Sequence, residues 1–372
     1  MRKSFKYKII PLSNAEENAL HTLDLCRNLY NCALEERILA YRDGKSLSYY
    51  DQQNELPNLK KAFSEYKLVG SHVLQDVLRR LDRAYKNFFR RVKAKNNKVG
   101  FPRFKGKDRF RSFLFPDKSG WQVKDNRLII TNIGEFKIRL HRPIKGQVKT
   151  VTIAHKKTGE WFVCFSCTNV PAIQLPETNK KIGIDVGISH YAVDSDGKVT
   201  DAPKFFQLQE QYLRRCQRAF ARKKKSSKNR EKARIKVARI YAKIVNQRLD
   251  FDHKLANYYV RNYNEICVED LHIKNMMQNK RLSKSFADVA LGVFLQILAD
   301  KAESAGRVFQ RKNPRYTSMT CCECGYVQKM PLSCRVFLCE GCKSEKCRDH
   351  NAAINIRDFS AWAEPIGAKE VW

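Results

Sequence analysis

A chain of 372 residues with 43% hydrophobic content can build two or three domains with cores of their own, which excludes a wholly disordered protein. Seventy-two Lys and Arg against thirty-eight Asp and Glu leave a formal charge of +34, an excess that repels itself in a compact state unless a polyanion offsets it. No stretch of about 18 apolar residues is present, and no apolar run of signal-peptide length follows Met1-Arg2-Lys3-Ser4-Phe5-Lys6, so nucleic acid rather than a membrane is the expected partner.

In chain order, Phe5 to Pro11 alternates apolar and polar residues and predicts a strand. Ser13-Asn14-Ala15-Glu16 resembles a capping box, and Ala19, Leu23, Cys26, Tyr30 and Ala33 follow at helical spacing until Asp43-Gly44 closes the helix. A second helix is expected from about Ser71 to Lys93, with a stripe of Val73, Val77, Leu81, Tyr85 and Phe88 that Leu74 and Leu78 widen. Gly100 to Gly106 is a poor helix candidate because of its glycines and proline. Short strand patterns separated by turn residues then run from about Arg127 to Cys167, which fits a small antiparallel barrel. After a polar linker from Pro171 to Lys180, Lys181 to Val193 reads as two strands joined near Gly187, with Asp194-Ser195-Asp196-Gly197 as a turn. A long basic helical region is expected from about Phe205 to Tyr263. A short buried strand follows at Glu265 to Glu269, then a helix from Phe286 to Ala305 and a cysteine-rich module.

Seven of the thirteen cysteines fall between Cys321 and Cys347, which reads as metal binding in a reducing compartment rather than a disulfide framework. Cys321/Cys324 and Cys339/Cys342 form two C-x-x-C pairs with fourteen residues between them. Two such knuckles can hold one tetrahedral zinc with all four positions filled, which predicts a structural site. Gly325 and Gly341 are expected to supply the knuckles' backbone freedom. Cys164 and Cys167 share the spacing but lie in a strand pattern with no second pair nearby, and are expected to be core residues.

Three acidic residues stand out. Asp185 lies inside the apolar run Ile182-Gly183-Ile184-Asp185-Val186-Gly187, where a carboxylate is costly unless a cation or hydrogen bonds compensate. Glu269 ends a second apolar strand, and Asp349 stands where a helix begins. Two of them have a simpler reading, Asp185 as a turn or cap and Asp349 as an N-cap. Together, three carboxylates from separated segments can bind two divalent cations about 3.5–4 Å apart, and hard oxygen ligands suit Mg²⁺ or Mn²⁺. Phosphodiester hydrolysis is then the expected chemistry, in keeping with the positive charge. The run Arg222-Lys223-Lys224-Lys225 could face phosphates or merely solvent, and Phe101, Phe104, Phe110 and Phe113 among basic residues could stack on bases or pack in a core.

Gly183 to Gly187, Val268-Glu269-Asp270-Leu271, the Thr317-Ser318 to Cys324-Gly325 knuckle and Arg348 to Ile356 resemble TnpB, the RNA-guided nucleases of insertion sequences related to type V CRISPR effectors. Phe5 to Pro11, Cys26-Arg27 to Tyr30-Asn31, Leu81 to Phe89 and Gly100 to Lys105 are similar to its N-terminal half, so the resemblance covers nearly the whole chain. It implies a multidomain α+β protein. Residues 1–175 would form a β-barrel (wedge) domain with a helical recognition insertion at about 13–99. Residues 181–372 would form an RNase H-like (RuvC) α/β nuclease domain with a zinc ribbon inserted at about 315–346. Asp185, Glu269 and Asp349 would be the catalytic metal ligands for Mg²⁺ or Mn²⁺, and Cys321, Cys324, Cys339 and Cys342 would hold one structural Zn²⁺. A guide RNA and target double-stranded DNA would be the partners of a monomer acting in the cytoplasm at the nucleoid. Gln75 resembles a residue that contacts the motif adjacent to the target, and Arg103, Lys105, Arg222, Lys223, Lys224 and Lys225 would contact nucleic acid. The chain departs from the family pattern at Cys347, where Asp is frequent, and at Met319 and Cys322. A nuclease-inactive RNA-guided repressor and a DNA-joining transposase are the competing readings; the first would lack an intact acidic triad.

Overall fold

The computed structural model describes residues 1–95, 99–107, 109–172, 175–271, 288, 290–331 and 334–358. The chain divides into two compact units, Met1–Pro171 and Ala172–Trp372. Among the described residues no helix is long and apolar enough to cross a membrane.

The first unit begins with strand β1 (Lys3–Pro11), followed by helices α1 (Ala15–Arg42), α2 (Tyr49–Asn54) and α3 (Leu56–Ala62), a 3-10 turn at Ser64–Leu68 and helix α4 (Ser71–Lys93). Strands β2 (Ser112–Phe115), β3 (Trp121–Lys124), β4 (Arg127–Ile130), β5 (Gly134–Ile138), β6 (Gln147–His155) and β7 (Trp161–Thr168) complete it. The sheet is antiparallel throughout, in the order β2-β6-β7-β1-β5-β4-β3. It curls. The Trp121 ring on edge strand β3 lies 5.7 Å from that of Phe165 on β7, tilted against it, and a Cβ on Gly120 would lie 3.2 Å from the Phe115 ring of the opposite edge. No ladder joins β2 to β3 among the described residues. Inside the curl, Phe5, Tyr7 and Ile9 alternate with solvent-facing residues of β1 and bury against Phe136, Trp161, Val163 and Phe165, the period-2 pattern of a half-buried sheet.

Helix α1 buries the five residues of its predicted stripe, and α4 buries Val73, Leu74, Val77, Leu78 and Leu81. Each Val or Leu side chain among these gains about 1.5–3 kcal/mol from burial, so one truncation such as Leu78→Ala costs about 2–5 kcal/mol. The capping box expected at Ser13 does not form. Ser13 takes a left-handed φ of +46°, the Ala15 amide donates to the Leu12 carbonyl instead, and Glu16 accepts a bond from the Trp161 indole. The other end closes as expected, with Gly44 N–H on Tyr41 O and Lys45 N–H on Ala40 O, the paired bonds of a Schellman motif. Phe110 and Phe113 are core residues, whereas Phe101 and Phe104 are exposed.

The second unit contains β8 (Lys181–Val186), β9 (His190–Asp194), β10 (Val199–Asp201), α5 (Phe205–Ala221), α6 (Lys228–Asn262), β11 (Glu265–Glu269), α7 (Leu291–Ser304), β12 (Val308–Lys312), β13 (Val336–Leu338), β14 (Glu345–Cys347) and α8 (Arg348–Asp358). Its sheet runs β10-β9-β8-β11-β12; β8, β11 and β12 are parallel, and β9 is antiparallel to both its neighbours. On one face, Ile182, Ile184, Ile266 and Val268 pack against α6 and α7 through Leu255, Ala256, Tyr259, Phe294 and Leu298. On the other face, Gly183 and Asp185 look toward α8.

The long basic helical region expected from Phe205 to Tyr263 consists of two helices. The chain turns at 222–227, where Ser226 takes φ +66° and Ser227 caps α6 by accepting from the Arg230 amide. Arg230 folds back over the Phe220 ring at 4.4 Å and donates to the Lys223 carbonyl, which fixes the turn. The helix expected from Phe286 begins at Leu291, after Ala290 with its left-handed φ of +53°; residues 272–287 and 289 lie outside the described ones.

Candidate active site and cysteine cluster

Asp185 stands one residue from the end of β8, and Glu269 is the last residue of the parallel neighbour β11. Val268 is in register with Ile184, so one step further along both strands sets Glu269 beside Asp185. This is the carboxyl edge of the parallel strands. It is also where the chain order reverses, since β9 lies on one side of β8 and β11 on the other, the place where open α/β sheets leave a crevice.

Asp349 reaches the same place from α8. A Cβ on Gly183 would lie 2.0 Å from the Ala353 carbonyl oxygen and 2.5 Å from the Arg357 amide nitrogen, so only glycine lets the helix approach β8 this closely. Gly183 and Asp185 are two residues apart on one strand face, a step of about 6.6 Å. Ala353 and Asp349 are one helical turn apart, a step of about 6 Å. Seating Ala353 on Gly183 therefore brings Asp349 over Asp185. The expected alternative of Asp349 as N-cap does not hold: Arg348 is already helical, and Asp349 lies within the first turn.

The electrostatics register this convergence. The Asp185 carboxyl is pushed up to about 8, first by burial, then by the Glu269 carboxylate and then by that of Asp349, against a smaller opposing pull from Arg348. Burial also raises Glu269, and a hydrogen bond from the Thr317 hydroxyl opposes it. A third group, Arg335, places a guanidinium nitrogen 3.8 Å from Asp349 and donates to Ser189 Oγ at 2.8 Å. Among the described residues only the four cysteines gather three or more ligand atoms all within 4.8 Å of one another, so the carboxylate oxygens are set more openly. An all-oxygen donor set in which burial and two neighbouring carboxylates raise the Asp185 carboxyl to about 8 fits a hard divalent ion.

Two other buried acids nearby have structural partners. Asp194 accepts from the Asp196 and Lys198 amides at 3.2 and 3.0 Å and closes the β9–β10 turn, and Asp252 accepts from the Tyr191 hydroxyl at 2.5 Å.

In the cysteine module, Cys321 Sγ lies 3.7 Å from Cys342 Sγ, and Cys324 Sγ lies 3.5 Å from Cys339 Sγ. Four sulfurs at about 2.3 Å from one tetrahedral ion would stand about 3.8 Å apart, so the cluster fits zinc. The Ser344 hydroxyl, 3.2 Å from Cys342 Sγ, helps pull that thiol down to about 6, toward the thiolate that binds metal. Gly325 takes φ +75° as the first knuckle requires, but Gly341 does not take positive φ; a Cβ there would press the Tyr326 ring at 3.2 Å. Cys322, Cys334 and Cys347 stand outside the cluster. Cys164 and Cys167 face opposite sides of β7.

The module is bolted to α8 by two asparagines absent from the expected site. Asn351 accepts from the Cys322 amide at 2.9 Å and donates to the Thr320 carbonyl at 2.8 Å; Asn355 donates to the Thr317 and Thr320 carbonyls at 2.8 and 2.7 Å. Both asparagines are 1% exposed, so these bonds replace water entirely.

Of the expected nucleic-acid contacts, Arg222, Lys223, Lys224 and Lys225 are exposed at the tip of the α5–α6 hairpin. In the first unit, Gln75 is half-buried on α4 and Arg103 is exposed. The loop carrying Arg103 and Lys105 is pinned by Asn31 of α1, which exchanges two hydrogen bonds with the Lys105 backbone at 2.8 and 3.0 Å.

Residues 164–280 match the IS605 OrfB family, described as a probable transposase. A candidate RNA-guided DNA endonuclease of Streptomyces pristinaespiralis is 34% identical over 96% of this chain and 89% of its own length. The chain belongs to the TnpB family. The InsQ protein of Escherichia coli K12, with the same description, is 29% identical over 95% of this chain and 91% of its own. Residues 292–356 match a Cas12f1-like TNB domain, and residues 1–46 match a family described as helix-turn-helix, although here they form β1 and the single helix α1. The solved structure of the mini-RNA-guided endonuclease CRISPR-Cas_phi3 shares the fold, with a TM-score of 0.57 at 12% identity over 98% of this chain and 93% of that one.

Proposed function

We propose that this TnpB-family chain is an RNA-guided DNA endonuclease that hydrolyses phosphodiesters with Asp185, Glu269 and Asp349 as divalent-cation ligands. The observation that supports the reading is the register of β8 and β11, which sets Glu269 beside Asp185, with the close seat of α8 on Gly183, which carries Asp349 toward them. The strand order, with only β9 reversed, supports an RNase H-like (RuvC) nuclease domain. The cysteine spacing supports a zinc ribbon, and the curled sheet of the first unit a wedge barrel that holds guide RNA and reads a short adjacent motif.

Bound Mg²⁺ or Mn²⁺ would supply water activation on one side of the scissile phosphate and charge stabilisation of the leaving oxygen on the other. The protein's own part is to hold three acids together at a cost in repulsion that a cation relieves, and to present Arg335 at the rim, where a guanidinium matches a phosphate. Base pairing with the guide would select the target, leaving the protein to recognise backbone and shape. The charge of +34 suits both strands.

The test is purified protein with co-expressed RNA, offered a target library with Mg²⁺. Cleavage is expected beside one short motif, and Asp185→Ala should abolish it while RNA and target remain bound. Cleavage that persists in Asp185→Ala removes the site, and a protein that retains no RNA removes the guide. Strand joining onto a 3′-hydroxyl acceptor would indicate a transposase instead.

A further inference from the structure

Among the described residues the Thr317 hydroxyl is the side-chain donor to the Glu269 carboxylate, and its backbone is held with the cysteine module against α8. Thr317 is 2% exposed and lies between β12 and the first zinc-type cysteine, Cys321. Its single hydroxyl proton has two acceptors in reach, Glu269 Oε1 and the Pro314 carbonyl at 3.0 Å. The carboxylate, being charged, is the stronger of the two. With Oε1 so held, Oε2 is the oxygen left for a cation.

The backbone carrying Thr317 is clamped to α8 through Asn355, and the next turn of the knuckle through Asn351. Helix geometry gives this clamp its meaning. Asp349 and Ala353 are four residues apart on one stripe of α8; Asn351 and Asn355 form a second stripe about 200° around the helix. One stripe faces β8 and its acids, the other faces the knuckle. The same helix thus positions Asp349 directly and Glu269 indirectly, by way of Asn355 and Thr317.

We propose that Thr317 is a positioning residue for the carboxylate site, through which the folded cysteine module governs how tightly Glu269 and its partners bind a divalent cation. This rests on the metal-site reading above. Outer-shell partners of metal ligands typically change affinity 10–100-fold.

The experiment counts free Mn²⁺ by electron paramagnetic resonance during titration of the full-length chain, with zinc content and melting temperature measured on the same samples. Thr317→Val should weaken the Mn²⁺ site by at least about 10-fold with zinc retained, and Thr317→Ser, which keeps the hydroxyl, should stay within about two-fold of the parent. Thr317→Ala reads the same loss without an added methyl group if the valine variant does not fold. Asn355→Asp, which alters the clamp and leaves the hydroxyl in place, should weaken the site in the same direction. Glu269→Gln separates the two claims. If it leaves Mn²⁺ binding untouched, the metal-site reading and the role of Thr317 fall together. If it removes the site while the hydroxyl-free Thr317 variant binds Mn²⁺ like the parent, the role of Thr317 alone is overturned.

Discussion

Substituting Gly183 by alanine tests the geometry of the site without touching a charged group. The added methyl would start 2.0 Å from the Ala353 carbonyl oxygen and 2.5 Å from the Arg357 amide nitrogen, both backbone atoms of α8 that no rotamer change can move aside. A carbon–oxygen contact relaxes to about 3.3 Å, so α8 must withdraw from β8 by about 1.3 Å. Asp349 rides on the same helix one turn away and withdraws with it, while Asp185 and Glu269 stay on the sheet. Overpacking of this kind costs about 1–3 kcal/mol. For a unit of this size, a loss of about 2 kcal/mol lowers the melting temperature by about 4–8 °C. Misplacement of a catalytic group by about 1 Å can cost about 100-fold in rate. The assay is single-turnover cleavage by the RNA-loaded protein at saturating target, with target binding measured alongside. Binding should hold near the parent value while cleavage falls about 100-fold. A Gly183→Ala protein that melts with the parent and cuts within a few-fold of it would refute the argument that α8 must sit on a bare backbone to deliver Asp349.

Elemental analysis of the parent should find about one zinc per chain; Cys342→Ser should lose it and, by loosening the knuckle that Asn351 and Asn355 grip, should reduce cleavage although no carboxylate has changed. Asn355→Leu leaves the buried Thr317 carbonyl without its side-chain donor and should destabilise the second unit by about 1–3 kcal/mol, read from its melting temperature. Arg335→Ala should slow cleavage while leaving zinc content and target binding in place; an unchanged rate would show that its approach to Asp349 has no part in the chemistry. Replacing Arg222, Lys223, Lys224 and Lys225 together by alanine should reduce the slope of log affinity against log salt by up to about 3–4 if all four meet phosphates. An unchanged slope would make this exposed run a solvated tip.

What the sequence made legible were features with a local period. The stripe of α4 is carried by aliphatic residues at three- and four-residue spacing, so its limits at Ser71 and Lys93 follow from the pattern alone. The paired cysteines declare their spacing in the same way. The turn at 222–227 did not, because Arg, Lys and Ser there are compatible with helix. What breaks the helix is Arg230 folding back on Phe220 and Lys223, a contact that exists only once α5 and α6 lie side by side. Helices α2 and α3, at six and seven residues, are too short to show a period. The roles of Thr317 and Arg335 are further still from the local sequence, since Thr317 meets Glu269 across 48 residues and Arg335 meets Ser189 across 146.

The segment from Asp349 to Asn355 lies between these cases. Its acid was visible, but its asparagines and alanines had no assigned work, because their meaning depends on what stands on each side of the helix. With β8 on one side and the cysteine knuckle on the other, each identity has a cause. Ala353 is fully buried on the turn whose carbonyl meets Gly183, Asn351 and Asn355 are polar because knuckle carbonyls and an amide face them, and Asp349 adds its charge beside Asp185. The separation of the acids is therefore set less by the acids than by the glycine and alanine that decide how near the helix can come. A variant with all three carboxylates intact and that one approach blocked is expected to fail as a nuclease.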